Sequence, residues 1–420
     1  MDGTHVVANL YRCQGERRYL VDAGALRQIC LEAIERAGLT ILGDLFHEFP
    51  GGDGSPEGSG GVTGCVVLAE SHVAIHTWPE IASVALDVYV CNYSQDNSSG
   101  ARQVVDDLTR LLAPEDCVRH DLPRDRQYLY EYLNEDHGFF VRASKRLGAS
   151  HTGVQALEVH ETPQFGRTLR LDGCFMGSEK EEFVYHENMI HPAATAHAAP
   201  KRILIVGGGD GGLAEEALKH PSVEQVTLVE LDPQVIEIAK RHFASVHRGV
   251  FEHPKLRVVV DDGLKFVAAT GVRFDVIALD LPDPLGPAAA LYQAPFLRSC
   301  RRALAPGGAL VLHMGSPWAR PDRVGAIYRR LAKLFKIVRP YTMFIPLYGS
   351  LWSMAVCSDS LDPMKLPAAE VDKRIAARRL RDLRYYNGGA HQAVFALPNF
   401  MRDLLGRAVK AVPEAKRRAA

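Results

Sequence analysis

The feature that most limits what this chain can fold into is Gly207-Gly208-Gly209-Asp210-Gly211-Gly212. An apolar run, Ile203–Val206, leads into it, and Gly212–Lys219 leaves it with helical spacing. Glycines between a buried strand and a helix mark a strand–helix–strand crossover, and a crossover needs a parallel sheet. The alternation continues through strands at Gln225–Val229, Leu256–Val260 and Phe274–Leu279 and a helix at Pro233–Phe243. Pro306-Gly307-Gly308 reads as a turn, and Ala309–His313 as the strand after it. The sum is an α/β doubly wound sheet.

The loop satisfies GxGxxG, with Gly207 and Gly209 as its first glycines, and Glu230 lies about 20 residues on, where a ribose-binding acid belongs. On this alone a dinucleotide site stays open. Asp210 argues for another ligand. Loop backbone and helix N-terminus would face a pyrophosphate in a dinucleotide site, and a carboxylate there repels it. It suits a cationic ligand instead, such as a sulfonium nucleoside carrying an amine. The sheet reads as Rossmann-like of the methyltransferase type, one that uses S-adenosylmethionine. Ligands of open α/β sheets bind outside the carboxyl ends of the strands. Asp210, Glu230, Asp262, Asp280 and Asp283 all fall at such ends. Taken singly, such an acid is as readily a helix N-cap. Five together are costly to hold without cations. In a chain of formal net charge −1, that concentration points to a polyamine-type ligand.

Residues 128–405 resemble spermidine synthases. The matching pieces are LDG at 171–173, EEFVYHE at 181–187, ILIVGGGDGG, VELD at 229–232, DDG at 261–263, DLPDPLGPA at 280–288 and RYYNGGAHQAVFALPNF at 384–400. The resemblance implies that Gln155, Gly207, Gly209, Asp210, Glu230 and Asp262 hold decarboxylated S-adenosylmethionine. It implies that Asp280 takes a proton from the attacking amine, that Asp283 and Tyr185 position that amine, and that Tyr348 and Trp352 line the cleft. An aliphatic amine is protonated at neutral pH and must lose that proton before it attacks carbon. The chain departs from the family at Met176, where Gln is usual, and at Glu181, where Asp is usual. Leu281 and Pro282 stand where small polar residues are usual. Amine identity is therefore open.

A second chemical stretch is Cys65–Cys91, CVVLAESHVAIHTWPEIASVALDVYVC. Val66–Leu68 and Val84–Val90 read as buried strands around the Glu70–Ser71 peptide bond. A hydroxyl beside a strained carbonyl can attack it, turning amide into ester; elimination then leaves a pyruvoyl group. AESHVAIHTWPE resembles the self-cleaving site of bacterial S-adenosylmethionine decarboxylases, over roughly residues 1–120. The resemblance implies cleavage between Glu70 and Ser71, with a covalent pyruvoyl group formed from Ser71. It implies that His76 removes the Cα proton, Thr63 assists the acyl shift, Cys91 protonates the carbanion and Glu80 holds the ribose.

At 420 residues the chain is too long for one core. The expected order is an α+β sandwich at 1–120, a linker at 121–127 (DLPRDRQ), a small β-domain at 128–196, the Rossmann-like domain at 197–405 and a basic tail at 406–420. Strands are expected at 5–12, Gln155–Val159 and Arg167–Leu171, and helices at Ala23–Ala37 and Ala101–Leu112. GGDGSPEGSGG reads as an exposed loop. Near-zero net charge excludes a general attraction to nucleic acid or to anionic membranes. No leader or span is read, and the eight scattered cysteines show no metal spacing, which fits a cytoplasmic protein with reduced thiols and no metal site.

The expectation is a bifunctional polyamine enzyme. Its first part decarboxylates S-adenosylmethionine, and its second moves the aminopropyl group to putrescine, giving spermidine and methylthioadenosine. A homo-oligomer is implied by resemblance. Two alternatives stay open: the first domain decarboxylates ornithine or arginine, or one half is a non-catalytic regulatory partner.

Overall fold

The computed structural model describes residues 3–51, 60–93, 95–123, 127–284 and 286–406. Most of the expected glycine-rich loop (52–59) and most of the tail (407–420) lie outside the described residues. The chain divides into two compact units, Met1–Gln127 and Tyr128–Ala420.

The first unit runs β1 (Gly3–Cys13), α1 (Arg18–Val21), α2 (Ala23–Arg36), β2 (Ile41–Glu48), β3 (Val62–Leu68), β4 (Ser71–Trp78), β5 (Ser83–Cys91), α3 (Ser98–Leu112) and β6 (Pro114–Pro123). The strands form one antiparallel sheet in the order β2-β3-β4-β5-β1-β6. Alternate side chains of a strand point to opposite faces. One set, including Val6, Leu10, Val66, Val73, Ile75, Leu86 and Val88, is buried with Leu26, Ile34, Val104 and Leu108 of α2 and α3. Asp22 caps α2 by accepting from the Ala25 N–H at 2.9 Å. On the sheet's other face Val67 and Trp78 stay exposed.

The expected linker is shorter than read. Asp121, Leu122 and Pro123 pair with Val6, His5 and Thr4 as the end of β6, and Gln127 already begins β7. A polar edge strand has no hydrophobic period to announce it, so backbone pairing overrides its linker-like composition.

The second unit opens with β7 (Gln127–Tyr132) paired to β8 (Gly138–Ala143). A four-stranded sheet follows, of β9 (Lys145–His151), β10 (Ala156–Thr162), β11 (Gly166–Leu171) and β12 (Cys174–Ser178). Gln155 precedes β10 rather than opening it. The expected β-domain does not stay β to residue 196: α4 (Glu182–Ala196) is a helix with thirteen buried residues. Its buried polar side chains are paired, Glu182 with His186 at 2.8 Å and His191 with Glu216 at 3.0 Å, which lets it be covered on nearly all sides.

The seven-stranded sheet is built from β13 (Arg202–Gly207), α5 (Gly212–Leu218), β14 (Gln225–Glu230), α6 (Pro233–His242), α7 (Ala244–His247), β15 (Leu256–Val260), α8 (Gly263–Ala269), β16 (Phe274–Asp280), α9 (Ala294–Ala303), β17 (Leu304–Gly315), α10 (Pro321–Leu334), β18 (Ile337–Ile345) and β19 (Ser350–Ser358). Helices α11 (Ala368–Arg378), α12 (Gly388–Phe395) and α13 (Asn399–Leu405) follow. The order is β15-β14-β13-β16-β17-β19-β18, with β19 antiparallel to both neighbours and the other neighbours parallel. Pro306-Gly307-Gly308 is not a turn ahead of the last parallel strand but part of β17, where the register against β16 shifts. Strand order reverses between β13 and β16, which places the crevice at their carboxyl ends.

Candidate functional site

In the first unit the chemistry gathers at a hairpin. Leu68 pairs with Ser71, leaving Ala69 and Glu70 as the turn between β3 and β4. Ser71 has φ 135°, a region that costs a residue with a Cβ on the order of 1–3 kcal/mol. The Glu70 carbonyl accepts from the Cys91 N–H at 2.9 Å. A donor on that oxygen stabilises the charge that develops when a hydroxyl attacks the carbonyl carbon. Its carboxylate accepts from the Tyr93 N–H and Asn97 Nδ2, at 3.1 and 2.9 Å. Cys91 Sγ donates to Tyr89 Oη at 3.1 Å. Strain, a polarised carbonyl and a thiol thus meet around residues 70–71.

Thr63, His76 and Glu80 do not join them. Thr63 pairs with His76 across β3 and β4, and their Oγ1 and Nδ1 atoms lie 2.5 Å apart. His76 stands five positions along β4 from Ser71, about 17 Å at roughly 3.4 Å per residue. Glu80 is farther on, exposed in the 3-10 turn Pro79–Ile81. The extended strand keeps these three at the far end of the sheet from Ser71 of the same chain.

In the second unit one cleft at the strand-order reversal is lined by Gln155, Tyr185, Gly207, Gly209, Asp210, Glu230, Asp262, Asp280, Asp283, Tyr348 and Trp352. Every residue that the sequence assigned to the second reaction therefore borders one space. The loop after β13 admits it because Gly207 has φ 83° and a Cβ there would meet the Asp280 carbonyl at 2.0 Å. At Gly209 a Cβ would strike the Glu230 carboxylate at 2.8 Å. Glu230 accepts from the N–H groups of Gly209 and Asp232, at 3.2 and 2.9 Å, and burial pushes it up to about 7. Asp262 caps α8 through the Leu264 N–H, at 2.8 Å. Gln155 Nε2 donates to Asp232 at 3.1 Å, where Thr152 Oγ1 also donates at 2.7 Å.

Asp210 accepts from the Gly212 N–H at 2.9 Å, and its other oxygen lies 3.5 Å from His186 Nε2. His186 Nδ1 meets Glu182 at 2.8 Å. Burial works against charge on this ring, yet the two carboxylates prevail and hold its pKa well above the usual imidazole range. Burial likewise raises Asp210, but the His186 cation outweighs it and keeps that carboxyl low. Asp280 is pushed up to about 6, first by burial and then by the charge of Asp210. A carboxyl tuned there is a competent proton acceptor near neutrality. His186, Asp210 and Asp280 could also group around a cation.

The opposite end holds groups that sequence reasoning missed. Glu131 borders the cleft, accepts from the Phe175 N–H at 2.6 Å, and is pushed up to about 7 by burial. Nothing in its local sequence marks it; β7 delivers it. Glu181, one of the departures, is also raised to about 7 by burial and takes a hydrogen bond from Ser178 Oγ at 3.1 Å. Asp283 is paired to Arg323 of α10, while its other oxygen is buried without a hydrogen bond among the described residues. Tyr348 Oη donates to the Met176 carbonyl at 2.8 Å, and its ring lies 4.8 Å from that of Trp352. His313 Nε2 lies 2.7 Å from the Leu281 carbonyl and 2.6 Å from Tyr292 Oη, so the 281–283 loop is tied down from below.

A family model for the spermine/spermidine synthase domain matches residues 182–366, and one for S-adenosylmethionine decarboxylase matches residues 4–125. A polyamine aminopropyltransferase of Nitrosomonas europaea is 47% identical over 278 residues, which cover 66% of this chain and 86% of that protein. Its counterpart in Bacillus subtilis is 38% identical over 276 residues, covering 66% and 97%. A crystal structure of spermidine synthase in complex with the transition-state analogue AdoDATO aligns with a TM-score of 0.64 at 34% identity, over 68% of this chain and 96% of that one. Spermidine synthase from Thermotoga maritima aligns with a TM-score of 0.61 at 33% identity, over 68% and 95%.

Proposed function

Because the chain belongs to the polyamine aminopropyltransferase family through its larger unit, and carries an S-adenosylmethionine decarboxylase domain ahead of it, we propose that it performs two consecutive steps of spermidine formation. The first unit decarboxylates S-adenosylmethionine after cleavage at Glu70–Ser71. The second transfers the aminopropyl group of the product to putrescine, releasing methylthioadenosine. The observation that carries the transfer reading is Asp280: a carboxyl raised to about 6 at the sheet's reversal point, beside Asp210 and Tyr185.

In this reading Asp210, Glu230, Asp262 and Gln155 hold the sulfonium nucleoside. Tyr348 and Trp352 wall the aminopropyl arm away from water. Asp280 accepts the ammonium proton, and Tyr185 and the free oxygen of Asp283 aim the amine at the carbon next to sulfur. For the first unit, the strained Ser71 and the polarised Glu70 carbonyl suit formation of a pyruvoyl group. Once present, that group supplies the electron sink for loss of CO2 from an α-amino acid. Cys91 stands at the same hairpin to return a proton. Incubating the purified chain with S-adenosylmethionine and putrescine tests the whole: CO2, methylthioadenosine and spermidine should appear together. Absence of CO2 would confine the activity to transfer.

The distance between His76 and Ser71 bears on assembly. A two-fold pairing of sheets places the far end of one against the near end of the other. His76, Thr63 and Glu80 of one protomer then face Ser71 of its partner. Co-expressing Ser71→Ala with His76→Ala chains should therefore restore cleavage of the His76→Ala chain, which alone stays whole. If the mixture cleaves no better than the separate chains, the paired site is wrong.

A further inference from the structure

Three side chains on the exposed face of the first unit form a line that none of the roles above uses. His72 Nδ1 lies 3.3 Å from Ser71 Oγ. His72 Nε2 lies 3.5 Å from Asp87 Oδ1, and Asp87 Oδ2 lies 2.7 Å from His5 Nε2. The sheet register builds this line. His72 on β4 and His5 on β1 both pair with Tyr89 of β5, so the two rings flank the phenol, with centroids 6.0 and 5.7 Å from it. Asp87, two residues before Tyr89, shares that face and reaches both imidazoles. Asp87 Oδ1 is buried and makes no hydrogen bond among the described residues, which leaves it ready for the His72 N–H.

We propose that His72 is the base that starts cleavage at Glu70–Ser71, and that Asp87 and His5 position it. The inference rests on the self-cleavage proposed above. A carboxylate at Nε2 fixes the proton there and leaves the Nδ1 lone pair facing the hydroxyl. His72 Nδ1 takes the Ser71 hydroxyl proton. Oγ bonds to the Glu70 carbonyl carbon, and the charge on the carbonyl oxygen falls under the Cys91 N–H, which is 2.9 Å away. The carbon–nitrogen bond then breaks, its electron pair stays on the Ser71 nitrogen, and that nitrogen recovers the proton from His72. Amide becomes ester with no other reactant. Ser71 is already held at φ 135°, so breaking the peptide bond relieves strain on the same residue. His76 is too far along β4 to serve its own chain, whereas His72 is adjacent by covalent connection.

The test uses the full chain, purified and followed on denaturing gels over time, with hydroxylamine added to cut any ester. His72→Gln should slow scission by ~10²–10⁴-fold, the range of a positioned general base, and accumulate no hydroxylamine-sensitive ester. Asp87→Asn should slow it ~10-fold or more, because the amide presents the wrong partner to Nε2, and Asp87→Glu should recover part of the rate. His76→Ala should behave differently, accumulating the ester because it blocks only the later loss of the Cα proton. Aminopropyl transfer from supplied decarboxylated substrate should be unchanged in all of these variants. Cleavage of His72→Gln at the wild-type rate overturns this inference and leaves the self-cleavage reading standing. A wild-type chain that never cleaves overturns both. If His72→Gln does not fold, unchanged scission in Asp87→Asn overturns the proposal by itself.

Discussion

Replacing Asp280 by Asn is expected to lower aminopropyl transfer by ~10²–10⁴-fold, with the chain still folded and still binding the nucleoside. The amide keeps the shape of the carboxyl and its contact with Tyr185 but cannot take the ammonium proton. The same group sets the acid limb of the pH profile. Burial and the neighbouring charge of Asp210 raise Asp280 to about 6. Its useful form is the ionised one, so kcat/KM should fall as pH drops through about 6 and level off above it. Initial rates with supplied decarboxylated S-adenosylmethionine, from pH 5 to 9, measure both. An Asn variant within twofold of wild type, or an acid limb unchanged by the substitution, would remove Asp280 from the role of base.

Ser71→Ala is expected to abolish decarboxylation altogether and to leave the chain at its full 46.2 kDa on a denaturing gel. No hydroxyl then stands beside the Glu70 carbonyl, and no other group can generate a ketoacyl end. Transfer from supplied product should continue at the wild-type rate, because the described residues that line the cleft all belong to the second unit. Intact mass and a CO2 assay check the first outcome, and methylthioadenosine release checks the second. Residual CO2 release by this variant would show that decarboxylation uses another centre.

The sequence made the second unit's cleft legible because its chemistry sits at strand ends. Asp210 follows β13, and Glu230 and Asp280 are the last residues of β14 and β16, and the parallel topology leaves those ends no other place to go. Glu131 was invisible because it reaches the cleft from β7, a strand with neither glycine punctuation nor an apolar period. The helix at Glu182–Ala196 was read as part of a β-domain because its polar residues, Glu182, His186, Glu187, Asn188 and His191, are buried along with its apolar ones, so no amphipathic stripe identified it. In the first unit the residue set around Ser71 could be read, but its geometry could not. Listing Ser71 and His76 five positions apart in sequence says nothing until β4 is known to be extended; in a helix the same spacing spans under 8 Å. The edge strand β6 was hidden by its polarity, which is what an exposed edge tolerates.

The sheet order of the first unit has a consequence for handling the protein. A break after Glu70 would assign β1, β2 and β3 to one fragment and β4, β5 and β6 to the other. Because β1 is hydrogen-bonded on one side to β5 and on the other to β6, the shorter fragment would be woven through the longer one. Such a nicked molecule would travel as one particle in every native separation, and no gentle wash could strip the light piece away. Its two new ends could drift apart at the hairpin, yet the pairing of β1 with β5 and β6 would hold the fragments together.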